Sequence, residues 1–203
     1  MKLAEGIKLK GKGVEIPDCS RDDLPEFFKE MGFKVGAEIG VENGIFSEAL
    51  CRAGLKLYAI DSWDTAPVRE NWKRRFAKEY EIAKTKLAPY DCIIIKKSSM
   101  EALEDFEDGS LDFVYIDANH SFKFVAEDIC GWIKKVKPGG VISGHDYFAV
   151  RTNPKNVYAW HVKYVVDAYT EAFEVEDWYI LGRKRAVEGE RRDKWRSWMW
   201  IKE

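Results

Sequence analysis

Short apolar runs alternate along this chain with stretches whose apolar positions recur every three or four residues. The runs are one that opens at Val35 and passes into Gly40, Leu57–Ile60, Cys92–Ile95, Leu111–Asp117 and Val141–Gly144. Their length and boundaries predict strands; the stretches between them predict helices. Ser20, with Asp23 three residues on, reads as a capped helix start. Leu24, Phe27, Phe28 and Met31 then share one face until Gly32 stops the helix. Trp72, Phe76, Tyr80, Ala83 and Leu87 predict a second long helix. Val125, Ile129, Trp132, Ile133 and Val136 predict a third after Ser121, ended by Lys137-Pro138-Gly139-Gly140. Tyr158, His161, Val162, Val165, Val166 and Tyr169 predict a last one after Asn156. Two terminal strands, near Val175–Leu181 and Ser197–Ile201, flank a charged loop from Arg183 to Arg196 and are close enough to pair antiparallel. Alternation of this kind predicts an α/β fold, a doubly wound, mostly parallel sheet with an antiparallel C-terminal hairpin. Cys92–Ile95, apolar throughout, suits a parallel strand buried on both faces.

With 203 residues, one domain is expected: an extension and helix over 1–33, a core over 34–150, and a C-terminal helix and hairpin over 151–203. Residues 1–19 are rich in Lys and Gly and are expected to be loosely held. A net charge of −2 gives no pull toward nucleic acid or an anionic membrane, and no apolar run is long enough for a membrane span. Met1–Gly6 lacks a signal-peptide core. Cys19, Cys51, Cys92 and Cys130 lack metal-ligand spacing and are expected as free thiols, which with the rest points to the cytoplasm. Two features bear on partners. Arg69, Lys73, Arg74, Arg75 and Lys78 form a basic helix face, read first as solvated and second as a lid or partner surface. Trp178, Trp195, Trp198 and Trp200 crowd the C-terminal end, read as packing of the sheet edge or as a homodimer face.

The chain's chemistry begins at Val35-Gly36-Ala37-Glu38-Ile39-Gly40-Val41-Glu42-Asn43-Gly44. This reads as strand, tight turn and helix start, with Gly40 and Gly44 leaving backbone for a ligand to lie against. Asp61 ends the next run, about 20 residues on, where a carboxylate takes ribose hydroxyls. The dinucleotide fingerprint would place a glycine where Glu42 stands, and a carboxylate is a poor neighbour for a pyrophosphate. The order acid, Ile, Gly, three residues, Gly resembles the first motif of the class I S-adenosylmethionine-dependent methyltransferases.

Ligands of open α/β sheets bind beyond the carboxyl ends of the strands. Asp61, Ser99, Asp117, His145 and Asp146 all fall at such ends. If the fourth and fifth strands are neighbours, their ends lie roughly 5 Å apart, close enough for Asp117 and Asp146 to share a cation. Ile116-Asp117-Ala118-Asn119-His120-Ser121, Lys137-Pro138-Gly139-Gly140 and Gly144-His145-Asp146-Tyr147 together resemble the metal-dependent O-methyltransferase branch of that class, over roughly residues 35–150. The resemblance implies a seven-stranded Rossmann-like sheet and a Mg²⁺ held by Asp117, His145 and Asp146. It also puts His120 where the branch's catechol enzymes carry a lysine base. His145 departs from the usual oxygen ligand, and imidazole favours Mn²⁺ and later transition metals over Mg²⁺.

The resemblance implies transfer of a methyl group from S-adenosyl-L-methionine to a hydroxyl of a small molecule. Glu38, Gly40, Gly44 and Ser47 would shape the methionine end; Asp61 and Ser62 would hold the ribose; Ser99 and Met100 would contact adenine, and Asp117 would border the donor. Asp117, Asp146 and His145 would bind a divalent cation, Mg²⁺ or Mn²⁺, that lowers the hydroxyl's pKa, with His120 and Asp117 catalytic and His120 taking the proton. Competing expectations are a nucleic-acid or protein methyltransferase, an NAD-binding oxidoreductase and a non-catalytic nucleotide-binding module. Against base amino-methylation, residues 117–120 lack the proline pair that follows the acid or Asn in such enzymes. Against cytosine C5 chemistry, no cysteine stands at a strand end that carries the site.

Overall fold

The computed structural model describes residues 3–63, 70–149 and 160–203. In chain order the elements are α1 (Leu3–Gly6), β1 (Val14–Ile16), a 3-10 turn (Arg21–Asp23), α2 (Leu24–Glu30), β2 (Val35–Ile39), α3 (Ile45–Arg52), β3 (Lys56–Asp61) and α4 (Glu70–Leu87). They continue with β4 (Cys92–Lys96), α5 (Ser99–Leu103), β5 (Leu111–Ile116), α6 (Phe122–Lys135), β6 (Val136–Tyr147), α7 (Val162–Ala172), β7 (Trp178–Leu181) and β8 (Arg196–Ile201). All strands join one sheet in the order β1-β7-β8-β6-β5-β2-β3-β4. Pairing is parallel except where β8 lies antiparallel between β6 and β7.

The sheet carries a core on each face. Phe27, Phe28, Phe46, Leu50, Ala83 and Leu87 of α2, α3 and α4 pack on Leu57, Ala59, Phe113 and Tyr115. On the other face Ala102, Val125, Ile129, Trp132, Val165 and Val166 of α5, α6 and α7 cover Ile39, Ile60, Val114 and Ile142. β2 lies between β3 and β5, so the chain leaves it in one direction for β3 and arrives on its other side at β5. Crossovers from β2 to β3 and into β5 part at that point and open a crevice at the carboxyl ends.

Several sequence expectations are refined. Among the described residues the sheet has eight strands rather than seven. The extra one is β1, which comes from the segment expected to be loose and pairs in parallel with β7. Gly6 lets Ile16 approach where a side chain would collide with it, the Tyr179 hydroxyl donates to the Ile7 carbonyl at 2.6 Å, and Asp177 accepts from the Gly11 amide at 2.8 Å. Ser20 and Asp23 form the expected capping box, but over a single 3-10 turn, with α2 following from Leu24. β4 is the sheet's edge and is not buried on both faces, with Ile93 43% exposed. The helix does end just before Lys137–Gly140, at Lys135, but those residues belong to a strand: β6 starts at Val136, where Leu111 pairs with it, and Lys202 pairs with Gly139 and Gly140 on the other side.

The basic helix face is largely solvated, as the first reading has it. Lys73, Arg74 and Lys78 are exposed, while Arg75 is tied to Glu79 and Glu42. Arg69 lies outside the described residues, as do Asn156 and Tyr158 of the last predicted helix, and Trp72's side chain is likewise not described. Trp178, Trp198 and Trp200 are buried within the chain, which accounts for three of the four C-terminal tryptophans as packing. All four cysteines are free thiols.

One close approach is specific enough to test. Gly36 lies opposite Phe113 in the β2–β5 register, and a Cβ on it would come within 2.3 Å of the ring. Phe113 is fully buried and stacked at 4.2 Å on Phe28, so the ring has nowhere to go. Gly36→Ala is expected to cost about 1–3 kcal/mol or more, the range for overpacking a tight core. Phe113→Leu in the same chain should recover part of that loss. Urea denaturation of the single and double variants measures both; equal midpoints for wild type and Gly36→Ala would contradict the packing.

Candidate active site

The carboxyl edge of the sheet brings most of the sequence-selected residues together. The Gly40 amide donates to the Ile60 carbonyl at 2.9 Å, and the Asp117 amide to the Ile39 carbonyl at 2.8 Å. Gly40 sits at φ +93°, where a Cβ would lie 2.2 Å from the Asp117 carbonyl oxygen. Only glycine allows this approach, and it places the turn after β2 directly against the acid that follows β5. Gly44, at φ +74°, opens α3.

Asp61 braces that turn. One carboxylate oxygen accepts from the amides of Val41 (2.9 Å) and Glu42 (3.0 Å), and the other from Trp63 (2.8 Å). Trp63, buried and at φ +43°, donates its indole N–H to the Glu42 carbonyl at 2.7 Å. Arg75 holds the Glu42 carboxylate at 2.6 Å and so neutralises the charge the sequence set against a phosphate. Ser62, next to Asp61, is half-buried. Glu38 is buried on β2 and accepts from the Ser47 hydroxyl of α3. Burial, despite that hydrogen bond and aided by the nearby Asp117 charge, pushes its carboxyl up to about 8.

Ser98, not Ser99, caps α5, in a capping box with Glu101. The Ser99 hydroxyl donates to Asp128 and accepts from the Trp132 indole at 2.8 Å, so it is occupied by α6 rather than turned to the crevice. Met100 is half-buried beside Gly131.

Around Asp117 the groups converge. Asp117, His120 and Asp146 each offer one ligand atom, all within 4.8 Å of one another. His120 Nε2 lies 2.8 Å from Asp146 Oδ2 and 3.3 Å from Asp117 Oδ1. His145 Nδ1 is farther out, 3.7 Å from Asp117 Oδ2 and 3.2 Å from Asp146 Oδ1, and its Nε2 is buried without a hydrogen-bond partner. The tightest trio is therefore completed by His120, which the sequence offered as a base, rather than by His145. Burial pushes the His120 imidazolium down, but its bonds to Asp117 and Asp146 and their charges outweigh it and raise it to about 9. Burial would raise Asp146, yet contacts with His120 and His145 hold it well below the usual carboxylate range.

A backbone irregularity aims Asp146. It stands at φ +59°, and the β6–β8 register shifts between Gly144 and Tyr147. Strain of this kind, of order 1–3 kcal/mol, concentrates at functional sites, and a bulge redirects the side chain it carries. The Trp198 indole holds the bulge by donating to the His145 carbonyl at 3.0 Å, and Trp198 packs where a Cβ on Gly144 would be.

Arg21 and Trp63 belong to this site and were not selected from the sequence. Arg21 extends from the 3-10 turn until its Nη1 lies 3.6 Å from Asp117 Oδ2, its guanidinium 5.6 Å from the Phe46 ring centroid. No spacing signals it, since it arrives from a distant segment. Trp63 had a readable signal: a large aromatic in an otherwise polar loop just past a strand end.

The buried Glu38 carboxyl gives a pH signature. Its native value lies above the ~4.3 of an unfolded chain. The native state therefore keeps a proton that the unfolded state has lost between about pH 4.5 and 8. Its stabilising effect is greatest at the acid end of that window and is lost as pH rises through it, by up to ~1.4 kcal/mol per pH unit. Asp128 and His120 shift stability in the same direction, so the informative quantity is the difference between wild type and Glu38→Gln. Urea denaturation across the window should show wild type losing stability relative to the variant as pH rises. Parallel curves would mean that Glu38 is not protonated in the native state.

Comparison with known proteins places this geometry. A family model described as a methyltransferase domain matches residues 35–147, more than half of the chain. The O-methyltransferase TomG from Streptomyces achromogenes, solved with SAM, superposes with TM-score 0.63 at 18% identity, covering 90% of this chain and 79% of TomG. A putative caffeoyl-CoA O-methyltransferase from Staphylococcus aureus superposes with TM-score 0.65 at 16% identity, covering 90% and 82%. Among curated proteins, an uncharacterized protein y4gI of Sinorhizobium fredii is 38% identical over 53 residues, 26% of this chain; the chain spans 6% of that protein's length. The glycine turn, the acids at the strand ends, the sheet order and the match over residues 35–147 lead to one conclusion: the chain belongs to the methyltransferase-domain family, with the fold of the class I S-adenosylmethionine-dependent methyltransferases.

Proposed function

We propose that this chain transfers a methyl group from S-adenosylmethionine to a hydroxyl of a small molecule, with a divalent cation held beside the reacting oxygen. The observation that carries this reading is the convergence of Asp117, His120 and Asp146 one strand away from the glycine turn. Family membership and the O-methyltransferase neighbours support the donor and the acceptor atom.

The donor's methionine end fits the turn at Gly40 and Gly44, against Glu38 and Ser47, where the backbone carries no side chain to exclude it. Asp61 would take the ribose hydroxyls while its backbone bonds keep the turn in shape. Two carboxylates and an imidazole suit Mn²⁺ or a later transition metal better than an all-oxygen Mg²⁺ site. When bound, such a cation lowers the pKa of an acceptor hydroxyl. Arg21 and the His120 imidazolium otherwise balance the two acids. His120 can accept a proton only after losing the one that Asp117 and Asp146 stabilise, so we place it first as a ligand and second as a base. Near-linear placement of hydroxyl oxygen, methyl carbon and sulfur, fixed by the turn on one side and Asp146 on the other, would supply much of the acceleration.

Two titrations test the reading. Asp61→Ala should weaken S-adenosylhomocysteine binding by about tenfold or more, the loss of charge-assisted hydrogen bonds; unchanged affinity would remove Asp61 from the site. Mn²⁺ titration with S-adenosylhomocysteine present should show uptake by wild type that weakens as pH falls, because the cation competes with the proton on His120. His120→Ala and Asp146→Ala should each lose about 100-fold or more in Mn²⁺ affinity while keeping the donor. A larger loss in His145→Ala than in His120→Ala would return His145 to the ligand set. Should wild type take up no divalent cation from about pH 6 to 8.5, where the carboxylates are ionised, the metal-assisted mechanism fails.

A further inference from the structure

Beside the acid cluster, a cleft of ≈ 420 Å³ opens between the end of β6, the start of β8 and the loop joining β7 to β8. Tyr147, the residue after Asp146, lines it, so cleft and acid cluster begin within one residue of each other. Phe148, Ala149, Ile180 and Trp195 line it as well, and its charged residues, among the described ones, are Lys163, Lys184, Arg192, Lys194 and Arg196 against one acid, Glu15. Two of the cations are neutralised. Arg196 pairs with Glu15, and Lys163 with Asp167. Among the described residues no carboxylate lies within ion-pair distance of Lys184, Arg192 or Lys194, in a protein whose net charge is −2.

The loop that presents these cations is built rather than free. Gly182, at φ +82°, lets it fold back so closely that a Cβ there would meet Arg192 at 2.6 Å. Arg192 Nη1 donates to the carbonyls of Arg183 (3.0 Å) and Lys184 (2.7 Å), which orients the guanidinium; among the described residues its other N–H groups have no hydrogen-bond partner. Trp195, 40% exposed, stacks on Phe148 at 4.1 Å, and Lys194 Nζ lies 4.7 Å from its ring centroid. The loop is also bonded to the segment that feeds the acid cluster, since Asp193 accepts from the amide of Arg21 at 2.8 Å.

We propose that this cleft binds an oxyanion of the methyl acceptor, a phosphate or a carboxylate, through Lys184, Arg192 and Lys194, so that the acceptor is an anionic small molecule. A planar fork and two ammonium groups, beside an aromatic wall, form a donor set suited to phosphates and carboxylates. The inference rests on the methyl-transfer reading for the word acceptor, but not for the anion site itself.

The test uses the full chain with S-adenosylhomocysteine bound and three probes: inorganic pyrophosphate, benzoate and a short single-stranded RNA. Calorimetry should show one or both small anions binding to wild type with an affinity that falls as salt rises. Arg192→Gln, and separately Lys184→Gln with Lys194→Gln, should weaken that binding by about tenfold or more and leave S-adenosylhomocysteine affinity unchanged. Preference for pyrophosphate or for benzoate then decides between phosphate and carboxylate. Absence of binding by both anions, or equal binding by wild type and both variants, overturns the proposal. So does RNA binding that the variants lose while the small anions do not bind. A panel of hydroxyl compounds, offered as matched anionic and neutral pairs with radiolabelled S-adenosylmethionine, separates the two readings. Anion binding with no compound methylated leaves the cleft standing and counts against methyl transfer. Methylation with no preference for the anionic members, and with KM unmoved in the variants, leaves methyl transfer standing and overturns the acceptor assignment.

Discussion

Two carboxylates brought within a few ångströms of each other cannot both stay ionised without positive charge between them, and in this protein that charge comes from His120. Its Nε2 sits between Asp146 and Asp117, with Arg21 on Asp117's far oxygen. Oppositely signed neighbours inside a partly buried site shift titration by whole pH units, and His120 and Asp146 move in opposite directions as that requires. Much of the surrounding fold holds this arrangement. Gly40 gives the Asp117 backbone room, the bulge at Asp146 turns its carboxylate inward, and Trp198 fixes the bulge from β8.

On the proposed metal-assisted reading, the same balance would give the site two states of equal charge logic. With Arg21 and a protonated His120 the acids are compensated by the protein's own groups. A divalent cation at the acids would displace the His120 proton and take over its role. On the proposed reading His120 would exchange a proton for a ligand bond rather than wait as a base at its reference pKa, and the adjacency of acid and imidazole three residues apart in sequence is compatible with both roles.

The parts of the site that were legible in sequence are those set by strand ends. Apolar runs locate the strands, parallel order puts their carboxyl ends on one edge, and Asp61, Asp117 and the pair His145-Asp146 follow from that alone. Periodicity could not decide which of two histidines joins the acids, because the choice depends on the left-handed backbone at Asp146 and on a register shift that one sequence does not encode in its pattern. Nor could it assign Ser99. A serine after a strand suits a ligand loop as well as a helix start, and here it is taken by Asp128 and Trp132, two residues of a helix about thirty positions on. β1 was hidden for a different reason: its three residues sit among lysines and glycines, and its pairing with β7 is supplied from the other end of the chain.

That long-range pairing is also what ties the unreadable parts together. β1 adds to β7 in parallel, which carries residues 14–16 to the edge where the β7–β8 loop leaves the sheet. Glu15 then meets Arg196 and the Lys184 amide, Asp18 and Asp23 meet Arg191, and Asp193 meets the Arg21 amide. Each contact alone is a surface ion pair or loop hydrogen bond of modest worth. Linked, they fix the position of Arg21 at the acid cluster and of the basic loop at the cleft from one set of restraints. A change that frees β1 from β7 would therefore disturb both ends of the crevice together, although among the described residues no hydrogen bond or ion pair joins β1 to Asp117 or Asp146.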